Sequence, residues 1–326
     1  MRHRLLLLIC VFQLVFGTGF FPGQYYETPV NRELQDTKLA KSFNFLVIGD
    51  WGRNGEFHQK PVSNQMNIAS KTLGANMIVS VGDNFYPNGV QSTQDPQWKQ
   101  SFEDVYPQYD LNKPWYSAMG NHDYYGDPQA QIDYSKISRR WNVPALYFTQ
   151  YFQLEDKSGQ AAFIFIDTNP FVSKYRNYDG MMGENVKKQD TQKQLAWLKS
   201  ELEKAKKTAK WVFVVGHHPL YTGGVRKTAE ETEEIRKVFE PVFQNYDVDA
   251  YFCGHEHDLQ VIHPKGKVLQ FLSGGGSAIR KSGETDGTQF AVSDGGFMSF
   301  SVTEKTLRLN VINGEGKVLF SRDYNK

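Results

Sequence analysis

Five short turns hold the residues in this chain that could do chemistry. Each follows an apolar run and reads Gly, then Asp, Asn or His: Gly49-Asp50, Gly82-Asp83, Gly120-Asn121, Gly216-His217 and Gly254-His255. Glycine suits a place where the backbone turns sharply and approaches a site closely. Five of the 8 histidines lie in these turns: His122, His217, His218, His255 and His257. Taken singly, Gly-Asp after a strand is an ordinary turn. Five turns with the same grammar are hard to explain as packing and indicate a metal site.

The donor set narrows the metal. Asp50, Asp83, Tyr86, Asn121, His217, His255 and His257 make seven candidates, too many for one tetrahedral ion and suited to two. A shared carboxylate would set the ions about 3.5–4 Å apart, as in two-metal hydrolytic sites. With no thiolate among the candidates, Fe, Mn or Zn fits better than copper(I) or an iron–sulfur cluster. Cys253, two residues before His255, either faces the site from an extended segment or is a buried apolar residue. The pair His255 and His257 would share a face on an extended segment and reach different ions on a tight turn.

These residues need strands to carry them. Phe43 to Ile48, Met77 to Val81, Val212 to Val215 and Ala250 to Cys253 read as buried strands whose carboxyl ends meet the turns. Ligands in open α/β sheets bind at that end. Val62 to Leu73, Lys188 to Lys207 and Glu230 to Tyr246 have helical spacing, the first ending at Gly74. A shorter helix is expected over Trp98 to Val105, a mixed helical stretch over Ala130 to Trp141, and strands over Tyr147 to Leu154 and Ala161 to Ile166. From Val268 on, the chain alternates like antiparallel strands, with turns such as Asn313-Gly314. Strand and helix alternation followed by a β-rich tail predicts an α/β fold, layered with mixed sheets, in one domain over 42–326 after an irregular lead-in over 20–41.

The 326 residues carry a formal charge of +1, with 22% charged and 40% hydrophobic residues. There is no basic excess to suggest nucleic acid and no acidic tail. The start stands apart: Met1-Arg2-His3-Arg4, an apolar run from Leu5 to Phe16, then Gly17-Thr18-Gly19. This is the pattern of a cleavable signal peptide over 1–19 and predicts a secreted or periplasmic protein; an uncleaved anchor is the alternative. Removing that segment leaves 35 basic against 36 acidic residues and Cys253 alone, so no internal disulfide can form. The chain has no Asn-x-Ser/Thr sequon.

The five motifs, in this order, resemble the purple acid phosphatase branch of the calcineurin-like metallophosphoesterases. Ordinary members of that superfamily have a ligand His at the third position of Asp-x-His in the first motif. Here that position is Gly52, and Tyr86 enters from the second motif. Asn121-His122-Asp123, Tyr134 to Ser138, Arg140-Trp141-Asn142, Gln194 to Leu198 and Cys253 to His257 are similar to the small tartrate-resistant type. The resemblance implies an α/β/β/α sandwich and an acid phosphatase that hydrolyses phosphate monoesters by in-line attack of a metal-bound hydroxide at a binuclear centre. It implies Fe(III) at Asp50, Asp83, Tyr86 and His257, and Fe(II), Zn or Mn at Asp83, Asn121, His217 and His255. His122 would position the phosphate or protonate the leaving oxygen. Expected substrates are phosphorylated small molecules or phosphoproteins, and the expected state is a monomer.

The chain also departs from the pattern. Family members have a further substrate histidine shortly after the fourth motif, where this chain reads Leu220 to Arg226 without one. His218 as substitute, Arg226 as a phosphate contact, and His218 simply packed under the site are the alternatives. Tyr124 and Tyr125 would line the pocket or cover its rim. Phe171 to Gly183 reads as an aromatic-rich loop. A phosphodiesterase or nucleotide-specific phosphatase on the same centre, and an iron-based phosphate-binding or redox protein, are the competing functional readings.

Overall fold

Strand β1 (Phe43–Ile48) is buried along its whole length, and so are β2 (Met77–Ser80) and most of β3 (Trp115–Ser117). Continuous apolar runs of this kind belong to strands covered on both faces. The three run parallel side by side. The computed structural model describes residues 28–326; the expected signal peptide lies outside them. Helix α1 (Arg32–Asp36) starts at Asn31, whose side chain accepts the Leu34 amide, and buries Leu34. The lead-in over 20–41 is therefore not wholly irregular. Helix α2 (Gln59–Leu73) starts three residues before the expected Val62 and ends at Gly74 in the left-handed conformation, as its C-terminal glycine predicts.

The second sheet starts with β4 (Phe148–Gln153) and β5 (Gln160–Phe165), after the short helix α3 (Pro128–Tyr134). The stretch read as a loop from Phe171 contains α4 (Ser173–Arg176) and leads into α5 (Met181–Lys187). Its Gly, Asn and aromatic residues mask two helices of only a turn or two. Then follow α6 (Thr191–Thr208), capped by Asp190, β6 (Ala209–Val215), α7 (Glu230–Asn245) and β7 (Ala250–Cys253). A strand missing from the sequence reading, β8 (Leu259–Ile262), comes next; it directly follows the last metal motif and is too short to show a period. The tail supplies β9 (Leu269–Ser273), β10 (Thr288–Val292), β11 (Gly296–Val302), β12 (Thr306–Asn313) and β13 (Val318–Asn325).

Both sheets are mixed. One has the order β13-β12-β11-β1-β2-β3, the other β10-β8-β9-β7-β6-β5-β4. In the second, β5, β6, β7 and β9 are parallel neighbours. Phenylalanines fill the space between the sheets: Phe45 of the first meets Phe163 and Phe252 of the second edge-on, with ring centroids 5.0 and 5.8 Å apart. Burying each such ring contributes about 1.5–3 kcal/mol. Outside, α2 covers β1 and β11, and α6 covers β5 and β6. Phe243 of α7 packs on Tyr251 of β7 at 5.3 Å. The layers are thus helix, sheet, sheet, helix. Among the described residues no helix is long and apolar enough to cross a membrane.

Candidate metal centre

This architecture puts all five turns at one place. Gly49-Asp50, Gly82-Asp83 and Gly120-Asn121 follow the adjacent parallel strands β1, β2 and β3, while Gly216-His217 and Gly254-His255 follow β6 and β7 of the facing sheet. The carboxyl ends of the two parallel blocks come together there. Close approach explains two of the glycines. A Cβ on Gly82 (φ 94°) would lie 2.7 Å from the Gly120 amide nitrogen and 2.8 Å from His217 Nδ1, and one on Gly120 would lie 2.1 Å from the Asp83 nitrogen. Asp50, Asp83 and His255 themselves have positive φ, at 57, 50 and 71°. Such residues cost roughly 1–3 kcal/mol each and cluster at functional sites, where the surroundings hold them.

Asp83 is the hinge of the arrangement. Its Oδ2 accepts the Tyr86 hydroxyl at 2.7 Å, and its Oδ1 accepts the His122 amide at 2.8 Å and lies 3.4 Å from His217 Nε2. On the Oδ2 side, Tyr86 OH is 3.1 Å from both Asp50 Oδ1 and His257 Nε2, and those two are 3.5 Å apart. On the Oδ1 side, His217 Nε2 is 3.3 Å from Asn121 Oδ1 and 3.2 Å from His255 Nδ1. All seven candidates are buried and converge as two groups of donors joined by one carboxylate. Donor atoms of Asp50, Asp83 and His217 all lie within 4.8 Å of one another. The tight turn, not the extended segment, describes His255 and His257: they face different groups.

The electrostatics of the protein groups alone call for a cation. Burial pushes the Asp50 carboxyl up to about 8, with His217 opposing and the Asp83 charge adding to the rise. Burial pulls His217 down, but the Asp83 carboxylate overrides it and carries the imidazole up to about 9. His255 and His257 are both held low by burial, His257 at about 3 with the Arg280 charge adding to the effect. Crowded buried carboxylates beside imidazoles and a phenol form a donor set that fits hard and borderline metal ions.

Other hydrogen bonds fix the donors. The His217 Nδ1 faces the Val81 carbonyl at 2.8 Å, and His255 Nε2 faces Glu231 Oε1 at 3.2 Å; such partners set which nitrogen is left for a metal. Asp50 Oδ2 accepts the His255 amide at 3.0 Å, tying the first motif to the last. Asp123 accepts from the amides of Asn84 and Gly120 and from Gln131 Nε2, and so clamps the third turn onto the second.

The residues named for substrate fall differently. His122 sits beside the Tyr86 ring, 4.3 Å between centroids, with its Nδ1 2.6 Å from the Pro87 carbonyl. Its Nε2 has no partner among the described residues. His218 is fully buried, with Nδ1 2.7 Å from Thr168 Oγ1 and Nε2 3.0 Å from the Tyr175 hydroxyl. Both ring nitrogens are occupied, so it packs under the site rather than reaching a substrate. Arg226 lies at the site, its Nε bonding Glu231 at 3.1 Å and one terminal nitrogen bonding the His255 carbonyl at 3.3 Å. Tyr124 is buried with its hydroxyl on Asp167, whereas Tyr125 lines a cavity beside Asn121 and His255. Cys253 is buried, and burial raises its thiol well above the ordinary value.

Four further residues at the site, Arg53, Arg280, Glu231 and Lys174, lie outside the five motifs. The Arg53 guanidinium lies over the Tyr86 ring at 3.6 Å, and Arg280 donates to the His255 carbonyl at 3.3 Å. Glu231 and Lys174 form an ion pair next to Arg226. Only the aromatic density around Lys174 could have pointed to one of them; an acidic residue in the first turn of a helix such as α7 ordinarily just favours the helix dipole.

Known proteins agree with this geometry. The calcineurin-like phosphoesterase family model matches residues 43–259. Purple acid phosphatase 3 of Arabidopsis thaliana is 35% identical over 306 residues, covering 89% of this chain and 80% of its own. Human tartrate-resistant acid phosphatase type 5 is 34% identical over 303 residues, covering 86% and 90%. Among solved structures, the Plasmodium protein described as "GAP50 the anchor in the inner membrane complex" superposes with a TM-score of 0.76 at 26% identity, covering 88% of this chain and 89% of its own. Over most of its length, then, this chain belongs to the calcineurin-like phosphoesterases, in the branch of the purple and tartrate-resistant acid phosphatases.

Proposed function

We propose that this chain is an exported acid phosphatase that hydrolyses phosphate monoesters at a binuclear metal centre. One observation carries the reading: the Asp83 carboxylate turns its two oxygens to two separate donor groups, which suits a bridging ligand. Asp50, Asp83, Tyr86 and His257 would hold Fe(III), for which a phenolate and two carboxylates are hard, charged donors. Asp83, Asn121, His217 and His255 would hold Fe(II), Zn or Mn. When bound, such a pair supplies Lewis acidity toward phosphoryl oxygens and acidifies water.

The protein's own share of the chemistry falls to His122. The Pro87 carbonyl accepts from Nδ1 and so fixes that nitrogen as a donor. Nε2 is left to face the substrate; on the imidazolium it donates its proton to the leaving oxygen as the P–O bond breaks. Asp83 Oδ1, by accepting the His122 amide, holds this group beside the residues that would carry the metal pair.

The test is metal analysis paired with a pH profile on para-nitrophenyl phosphate and its diester. Iron in at least half the sites, a visible phenolate band and faster monoester turnover at acid pH are expected. A colourless zinc-only protein with an alkaline optimum would overturn the reading. Likeness to a protein described as an anchor favours one rival, a binding protein on the same scaffold; absence of turnover by the metal-loaded chain would establish it.

A further inference from the structure

A small cavity of about 230 Å³ opens beside the second donor group, lined by Asn121, Tyr125, Lys174, Tyr178, Arg226 and Glu231. Its volume lies below the roughly 300–1,000 Å³ of pockets that enclose whole drug-sized ligands. It therefore suits one small group attached to a substrate whose reacting phosphate sits at Asn121 and His255. Of the charged side chains lining it, two are cations and one is a carboxylate.

That carboxylate organises the cavity. Glu231, buried in the first turn of α7, accepts from Lys174 Nζ, from Arg226 Nε at 3.1 Å and from His255 Nε2 at 3.2 Å. Lys174 comes from α4 and Arg226 from the loop before α7, so one anion draws together two cations 52 residues apart in sequence. Burial lowers the Lys174 ammonium from its ordinary value, and the nearby Arg226 charge lowers it further. Glu231 serves both cations and Arg226 also meets the buried Glu256 at 3.4 Å, so these carboxylates fix the two side chains from behind while their free donors face the cavity, where an anion can accept from both. Arg226 retains a terminal nitrogen, Nη2, with no partner among the described residues, and Lys174 remains 55% exposed. Tyr125 and Tyr178, edge to face at 5.4 Å, close the opposite wall.

We propose that Lys174 and Arg226, set by Glu231, form a subsite for a second anionic group of the substrate. The site would then favour phosphate esters with another phosphoryl group or a carboxylate close to the reacting phosphorus over esters with a neutral leaving group. This rests on the phosphatase reading for the position of the first phosphate.

Titration calorimetry on the metal-loaded chain tests it, with methylphosphonate, phosphonoacetate and methylenediphosphonate as probes. The two dianchored probes should bind at least about tenfold more tightly than methylphosphonate. Lys174→Met should cut that ratio about tenfold and Lys174→Glu further, while Lys174→Arg keeps it; circular dichroism confirms the fold. A methylenediphosphonate preference over phosphonoacetate identifies a phosphoryl group, and equal gains identify a general anion subsite. An unchanged ratio in Lys174→Met, or no ratio in the wild type, overturns the proposal. Phenyl phosphate turnover, run in parallel, fails separately if the phosphatase reading is wrong.

Discussion

The two donor groups of the centre are built on opposite principles. The Asp50, Tyr86 and His257 side is rich in oxygen donors and covered: the Arg53 guanidinium lies over the Tyr86 ring and burial holds His257 neutral. The Asn121, His217 and His255 side is rich in imidazole and opens on a cavity whose wall carries Lys174, Arg226 and Glu231. A closed side of hard oxygen donors would suit an ion that stays; a side open to a cavity would suit exchange and substrate. Asp83 belongs to both, and the comparison can be broken or sharpened there first.

Asp83→Ala should have the largest effect. It removes the shared carboxylate, so both ions and the visible band should be lost, and activity should fall by more than the ~10²–10³-fold of a single electrostatic donor. Metal analysis and spectroscopy on the refolded variant check this; retention of one ion at full occupancy would argue against a bridge. Tyr86→Phe should affect one side only, abolishing the visible band while the divalent ion still binds. A variant that kept its colour would exclude Tyr86 as the source of the band. His217→Ala should do the reverse, keeping the band and losing the divalent ion by equilibrium dialysis.

His122→Ala acts on neither side's ions. Metal content should stay at wild-type levels while kcat falls about 10²–10⁴-fold, the usual range for general acid–base groups. The loss should grow as the leaving group becomes more basic, which rates on a series of substituted phenyl phosphates would reveal.

The smallest effect lies behind the site. Burial raises the Asp167 carboxyl to about 6, partly offset by the Tyr124 hydroxyl and Asn169. An unfolded aspartate titrates near 3.9, so between these values the folded state holds more protons. The Asp167 contribution is therefore complete below pH ~4 and lost as pH rises through ~6, by about 3 kcal/mol in all. Asp167→Asn should flatten the fall in urea midpoint over that window. An unchanged slope would mean that Asp167 is ionised throughout.

Much of the centre was legible because metal ligation concentrates unusual residue types at strand ends. Asp50, Asp83, Asn121, His217 and His255 each follow a glycine at the end of an apolar run, with His257 two residues beyond the last of them, and the structure brings them together. Tyr86 was legible only through its pairing with Gly52 in the motif. His218 was not, because two adjacent histidines look alike until Thr168 and Tyr175 are seen to occupy one ring. The helices α4 and α5 were hidden because they are too short to show a period, and Lys174 was hidden with them.

The amino-acid sequence by itself determined the buried strands, the long helices and the turns that end them, since burial on both faces and helical periodicity are local properties of the chain. Only the tertiary structure decided which side of Asp83 each donor joins, that His218 lies beneath the site, and that Lys174 meets Glu231. Those outcomes depend on two sheets packing through their phenylalanines and bringing distant turns within a few ångströms. A side chain's role there is set by neighbours far away in sequence.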